Sequence, residues 1–497
     1  MAPERQKPSQ WLCLTKLPRE MCSQPIVHKA LSWGIIRKSA CILAAITIRK
    51  SQRKYTTLKA SPICASNLLR TKHFHGVSSA SPHAYLLKSH YGKVSIILAN
   101  IWRGAGVGVV VPHGDLAEDI IDHIPPERSD HVVYFNPSDL EYPIAWNLVD
   151  TIPPDDRATT ADFLVEAFKD LFGSSWGPRL QFILYHAIRA CLDAKHTTLL
   201  DVYRMLTDEE HRAHIVRQAE DPVTRDFWDG EFAGWPERDR LQAVGSIRNK
   251  LGRFLGNPAA RNIVGQVTGK LSIDFVINKQ RIFIANLAKG RLGPDQANLI
   301  GSLLVARFQA AAFSRAKIPE EARLDFNLTI DEFQNFMTDS FASVLSEARK
   351  YRLNLTMAHQ YLGQAKPAVR DAVFGNAGSL IAFRVGGPDG DVLEKVFRPD
   401  MMQSRQFLEL QKHEVIASIP DGSSAPIPFL GKTLAPVPYP GGRKERIIAL
   451  SREKYARRRS VVEPRITALF SDTQAGKSPP VKVGVALLKF RQHTLEP

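Results

Sequence analysis

The chain is 497 residues long, 23% of them charged, with a formal net charge of +16. That length accommodates a large buried core, most simply as two domains with tails. No apolar run is long enough to span a bilayer. The nearest, residues 35–48, is short and broken by Arg37-Lys38, so the expectation is a cytoplasmic protein without an integral membrane segment, peripheral at the inner membrane where it acts there.

The excess charge is local. Residues 1–103 hold 17 Lys and Arg against two acids, Glu4 and Glu20, a net +15, while the remainder carries 49 bases and 48 acids. Cys13, Cys22, Cys41 and Cys64 lie in the same segment at spacings that fit no zinc site. Only Cys191 lies beyond it, as in a reducing compartment. Residues 1–103 lack acids, sustained periodicity and capping signals, which predicts a disordered or aberrant N-terminal segment. One reading is a basic arm that neutralises DNA phosphates or an anionic membrane surface. The other is a stretch outside the designed fold, of the kind a displaced reading frame produces.

From Gly104 the texture becomes orderly α/β, and residues 104–154 read as the first part of a sheet domain. Gly106 to Val111 is a buried parallel strand; Pro112-His-Gly-Asp115 and a short amphipathic helix follow. His131 to Phe135 is the next strand. Residues 155–266 carry almost no strand signal: Ala161 to Phe172, Leu180 to Leu192 and Ile215 to Ala219 repeat at helical spacing, and Asp208-Glu-Glu opens a further helix. This predicts an all-α insertion. His211 and His214 within it are not spaced as metal ligands on one helical face and read as a solvated face. Residues 267–420 resume the sheet at Arg281 to Leu287, continue through a long helix from Gln296 to Ser314, and end with a strand-like run from Ser379 to Val385. Strands alternating with helices define a doubly wound α/β fold. Residues 421–497 form a Pro- and Gly-rich basic tail with a helical piece from Arg443 to Arg459 and an unstructured end.

Two runs in the second sheet segment carry chemistry. Leu328-Thr-Ile-Asp331-Glu332 is an apolar strand ending in paired acids, as in ATPases where the Asp holds the Mg²⁺ shell and the Glu orients or deprotonates water. Leu353-Asn-Leu-Thr-Met-Ala-His359-Gln360 follows, a neighbouring strand of the type that delivers a γ-phosphate sensor. The partner motif Gly-x-x-x-x-Gly-Lys-Ser/Thr is absent. It should end near position 88, where glycines let backbone N–H groups approach phosphate oxygens and a Lys reaches the β- and γ-phosphates. Lys88-Ser89 supplies the closing pair, but Pro82 and Leu87 stand at both glycine positions. Gly92-Lys93 is followed by Val94, with Leu87 at the first glycine. No register makes a complete loop.

Residues 104 to about 460 resemble the conjugative ATPases of type IV secretion, the TraG/TraD-like coupling proteins with a TraM-recognition region, within the HerA/FtsK superfamily. The resemblance rests on Gly106 to Asp119, Phe172-Gly-Ser-Ser-Trp-Gly-Pro178, Ile330 to Phe336, Ser346 to Leu355, Ala358 to Tyr361, Ala382 to Gly386 and Ile447 to Tyr455. It implies a RecA-like P-loop NTPase core with an all-α insertion, an ATP- and Mg²⁺-dependent motor moving DNA or protein, a homo-oligomeric ring (a hexamer), and partners in the secretion channel. Asp331 would sit at Mg²⁺, Glu332 would be the base, and Gln360 would sense the γ-phosphate. Arg349, Arg352 or Arg384 would serve as the finger stabilising phosphoryl charge at a neighbour's site. Lys88, Ser89 and Lys93 are the residues left to bind phosphate. Val111 departs from the family's Asp before Pro112. With the loop incomplete, the alternative is a non-hydrolysing structural or DNA-binding subunit of the same machinery.

Overall fold

A computed structural model describes residues 46–48, 83–87, 90–150, 152–172, 176–336, 345, 347–420, 426–433 and 441–475. Ten strands form one sheet: β1 (Ile46–Ile48), β2 (His83–Leu87), β3 (Gly106–Val111), β4 (Val132–Phe135), β5 (Ile282–Asn286), β6 (Phe326–Ile330), β7 (Leu353–His359), β8 (Ser379–Ala382), β9 (Glu414–Ser418) and β10 (Phe429–Thr433). Their order is β1-β10-β9-β8-β2-β7-β6-β3-β5-β4. Strands β8 through β4 of that order are all parallel, and β9, β10 and β1 extend the sheet antiparallel.

The strand runs are legible in the residues because a sheet covered on both faces buries every side chain. All six residues of β3 are buried. Val107, Val109 and Val111 face one core cluster together with Ile282 and Ile284, while Val110, Phe283 and Ala285 face the other. Successive residues thus divide between the two layers. Gly108 is obligatory here, since a Cβ would stand 2.8 Å from Leu328 and 3.0 Å from Phe326.

The sheet takes in residues upstream of the boundary expected at Gly104. Strand β2 inserts between β7 and β8, with His83 opposite Leu355 and Ala84 opposite Ser379. Helix α1 (His90–Trp102) follows and contributes Val94, Ile97, Leu98 and Ile101 to the first-face core. The next helix, α2 (Gly114–Asp122), completes that layer with Leu116, Ala117, Ile120 and Ile121.

Between β4 and β5 the described residues contain helices and no strand. The largest are α3 (Pro154–Phe172), α4 (Pro178–Asp193) and α5 (Glu237–Gly256). In this region His211 does not face solvent as the sequence suggested. It approaches Asp201 at 3.0 Å, and His214 alone is exposed. No group of three or more metal-ligating side chains occurs among the described residues. Helix α6 (Pro294–Ser314) is buried on nearly all sides from Ala297 to Ala312 and packs against α3.

The region expected as a tail is partly folded. Helix α7 (Lys444–Tyr455) buries Ile447 and covers the sheet's edge strand, where the Tyr134 backbone N–H donates to Ser451 Oγ at 2.8 Å. Helix α8 (Arg459–Ala475) continues to the last described residue and buries Val462 and Ile466, so an unstructured end does not begin at 460. No helix among the described residues is long and apolar enough to cross a membrane.

Candidate active site

In a parallel sheet, ligands gather outside the carboxyl ends of the strands, where connecting turns expose backbone groups. Asp331 and Glu332 stand at that edge, directly after β6, and both are buried. The Asp331 N–H donates to Val110 O at 2.9 Å, fixing the turn to β3. Glu332 then adopts a left-handed backbone, φ 49° and ψ 48°. A non-glycine residue held there stores roughly 1–3 kcal/mol of strain, a cost that concentrates at functional turns. Its N–H donates to Asp331 Oδ1 at 3.0 Å.

Lys93 arrives at the same carboxylate from the other end of the chain. It lies near the start of α1, the helix that follows β2, and its Nζ donates to Asp331 Oδ1 at 2.5 Å. Both side chains are nearly buried. Strand, short connection and helix thus present a Lys to the acid of β6, and of the registers open in the sequence the geometry brings Gly92-Lys93 to the site. Lys88 and Ser89 lie outside the described residues. Val94 follows Lys93 with a buried apolar side chain where a hydroxyl would approach a metal.

The other expected residues divide by edge. Gln360 is exposed directly after β7, on the Asp331 side, and Arg384 is exposed two residues beyond β8 at the same edge. Arg349 and Arg352 precede β7 and lie at the opposite edge, about 20 Å or more along the strands from Asp331. Arg352 pairs there with Asp325 at 3.7 Å. The fold therefore brings Asp331, Glu332 and Lys93 together, leaves Gln360 and Arg384 at the rim, and sets Arg349 and Arg352 outside this chain's own site.

Residues without an assigned role in the sequence complete the surroundings. Gln334 Nε2 donates to Glu332 Oε2 at 2.8 Å, and its Oε1 meets His359 Nδ1 at 2.7 Å. Asn335 Nδ2 donates to Glu332 O at 3.0 Å, and Lys289 Nζ reaches Asn335 Oδ1 at 3.4 Å. Gln334 and Asn335 follow the acid pair after one residue, Phe333. His359, only 1% exposed, is held by burial at a pKa of about 4 against the opposing pull of Asp389.

The residues fit a nucleotide with magnesium in part. Asp331 offers the carboxylate that Mg²⁺ takes, and Lys93 offers the phosphate-directed ammonium. Val94 provides no oxygen, so water and phosphate would complete the metal's shell.

No family model and no curated protein sequence matches the chain. Solved structures do. The bacterial conjugative coupling protein TrwBdeltaN70 in its unbound monoclinic form is 13% identical, covering 79% of this chain and 95% of its own, with a TM-score of 0.52. Its trigonal form in complex with sulphate gives 15%, 76%, 92% and 0.53. The plasmid coupling protein TrwB in complex with ADP and Mg²⁺ gives 12%, 76%, 93% and 0.51. The chain therefore has the RecA-like P-loop NTPase fold of the conjugative coupling proteins.

Proposed function

We propose that this chain is a motor ATPase subunit of type IV secretion or conjugation, of the coupling-protein kind. The observation that carries the reading is the Lys93 ammonium on the Asp331 carboxylate, 2.5 Å apart and 238 residues distant in sequence, beside the buried Glu332. Ammonium, metal-binding acid and second acid at the carboxyl edge of a parallel sheet are the parts that phosphoryl transfer needs. Lys93 would engage the β- and γ-phosphates, Asp331 would hold Mg²⁺, and Glu332 would take a proton from the attacking water. Gln360, exposed at the end of β7, would read the γ-phosphate. Arg384, or Arg349 and Arg352 from the opposite edge, would act on a neighbouring subunit's nucleotide. That role requires a ring, which the coupling-protein fold makes a hexamer in this proposal. DNA is the proposed cargo, and channel components at the cytoplasmic face of the membrane are the proposed partners.

The test is ATP hydrolysis by the purified full chain with Mg²⁺, with and without DNA. Glu332→Gln should lower turnover about 10²- to 10⁴-fold, the usual worth of a positioned base. Lys93→Ala should weaken nucleotide binding itself. One observation favours a second reading: Leu87 and Val94 replace a loop glycine and the metal-facing hydroxyl. A chain that assembles and binds DNA but shows no turnover would establish a non-hydrolysing subunit and overturn the motor. Deleting residues 1–82 spares β2, removes only the edge strand β1 from the sheet, and examines the basic arm, since loss of salt-sensitive DNA affinity would place phosphate contacts there.

A further inference from the structure

Gln334 is the joint between the acid pair and the end of β7. Its carboxamide makes three hydrogen bonds to three different residues. The Nε2 group donates to Glu332 Oε2 at 2.8 Å and to Gln364 Oε1 at 3.2 Å, and Oε1 accepts from His359 Nδ1 at 2.7 Å. His359 is the last residue of β7, and Gln364 ends the short 3₁₀ turn after it. Gln360 lies between them. The carboxamide thus clasps both ends of the loop that bears Gln360, and with the same nitrogen it holds the Glu332 carboxylate.

Each contact has a physical consequence. An amide N–H on a carboxylate fixes its direction and takes up one of its lone pairs. His359 can donate to Oε1 only with the proton on Nδ1, so this contact assigns the tautomer, while burial beside Phe333 keeps the ring neutral. Asp389, buried on the helix after β8, accepts from the Leu362 N–H at 3.3 Å and anchors the loop from its far side. Movement of Gln360 relative to β7 therefore strains the same carboxamide that orients Glu332.

We propose that Gln334 is a positioning residue that couples the Gln360 loop to the Glu332 carboxylate, so that turnover, and not nucleotide affinity, depends on it. This rests on the ATPase reading above.

The experiment compares steady-state ATP hydrolysis and binding of a fluorescent ADP analogue in the full chain. Gln334→Leu removes every contact at similar volume. Turnover should fall at least about tenfold, with KM and analogue affinity changing less than about twofold. Gln334→Glu keeps the acceptor for His359 and sets a second carboxylate against Glu332, and it should reduce turnover further. If the leucine variant does not fold, this isosteric one carries the measurement. His359→Asn, which keeps an amide N–H near the Nδ1 position, should retain turnover that His359→Leu loses. That rescue separates positioning from packing. Equal turnover in Gln334→Leu and the unsubstituted chain overturns this inference alone. Parallel losses in turnover and affinity overturn it in favour of a structural role. An unsubstituted chain without turnover overturns the ATPase reading and this inference with it.

Discussion

Burial, which strips water from the imidazole, holds His359 at about 4 even though Asp389 pulls its pKa upward. The unfolded chain would take up this proton near 6.5. As pH falls, the unfolded state is protonated first, so this residue's contribution is complete above about 6.5 and is lost toward about 4. Between pH 7.5 and 5 the loss is about 2 kcal/mol for this group. Burial lowers His186 and His131 as well, so they act in the same direction. Urea midpoints at those two pH values should differ, and His359→Asn should narrow the difference by about that amount. Arg315 raises a different matter at the opposite edge. Its buried guanidinium donates to the carbonyls of Tyr351 at 2.6 Å, Arg352 at 3.4 Å and Leu324, and burial lowers it to about 10 without discharging it at neutral pH. Arg315→Met would strand those carbonyls and should cost about 3 kcal/mol, read as a lower urea midpoint.

At the scale of elements, legibility followed burial. Strands β3, β4, β5 and β8 are readable because largely apolar runs mark strands covered on both faces, and β6 and β7 because apolar residues alternate with Asn and Thr. Gly106 to Val111 and the run ending in Asp331-Glu332 are found with little displacement. Strand β2 escapes that test: His83-Ala-Tyr-Leu-Leu87 is five residues inside a basic stretch, and its partners are distant in sequence. The site was legible in the same proportion. Asp331 and Glu332 announce themselves, whereas Lys93 is obscured by Leu87 and Val94, which break the glycine and hydroxyl pattern around it. Gln334 and His359 gave no signal, because a carboxamide bridge between two turns has no fixed spacing. Helix α6 shows how tightly the acid pair is backed. A Cβ on Gly301 would enter the Phe336 ring, which follows the acid turn. Gly301→Ala should therefore destabilise by about 1–3 kcal/mol despite its better helix propensity, and thermal unfolding would show it.

For the whole molecule, the C-terminal helices are part of the body. Helix α7 seals strand β4, which would otherwise present unpaired backbone groups at the sheet edge. Its Ile447 lies fully within the first-face core. Ile447→Ala should cost about 2–4 kcal/mol, and truncation at residue 440 should expose β4 and promote association, measurable by light scattering. The central place of β2 has a consequence for how the chain is made. His83 leaves the ribosome roughly 270 residues before Leu355, the first of its sheet partners. At about 5–20 residues per second the interval is roughly 14–54 s. Throughout that time the centre of the sheet lacks one wall, and for most of it Lys93 has no Asp331 to meet. The Lys93–Asp331 pair therefore forms late in synthesis, and a chain halted anywhere before the end of β6 holds a helix with a lysine but no carboxylate to receive it.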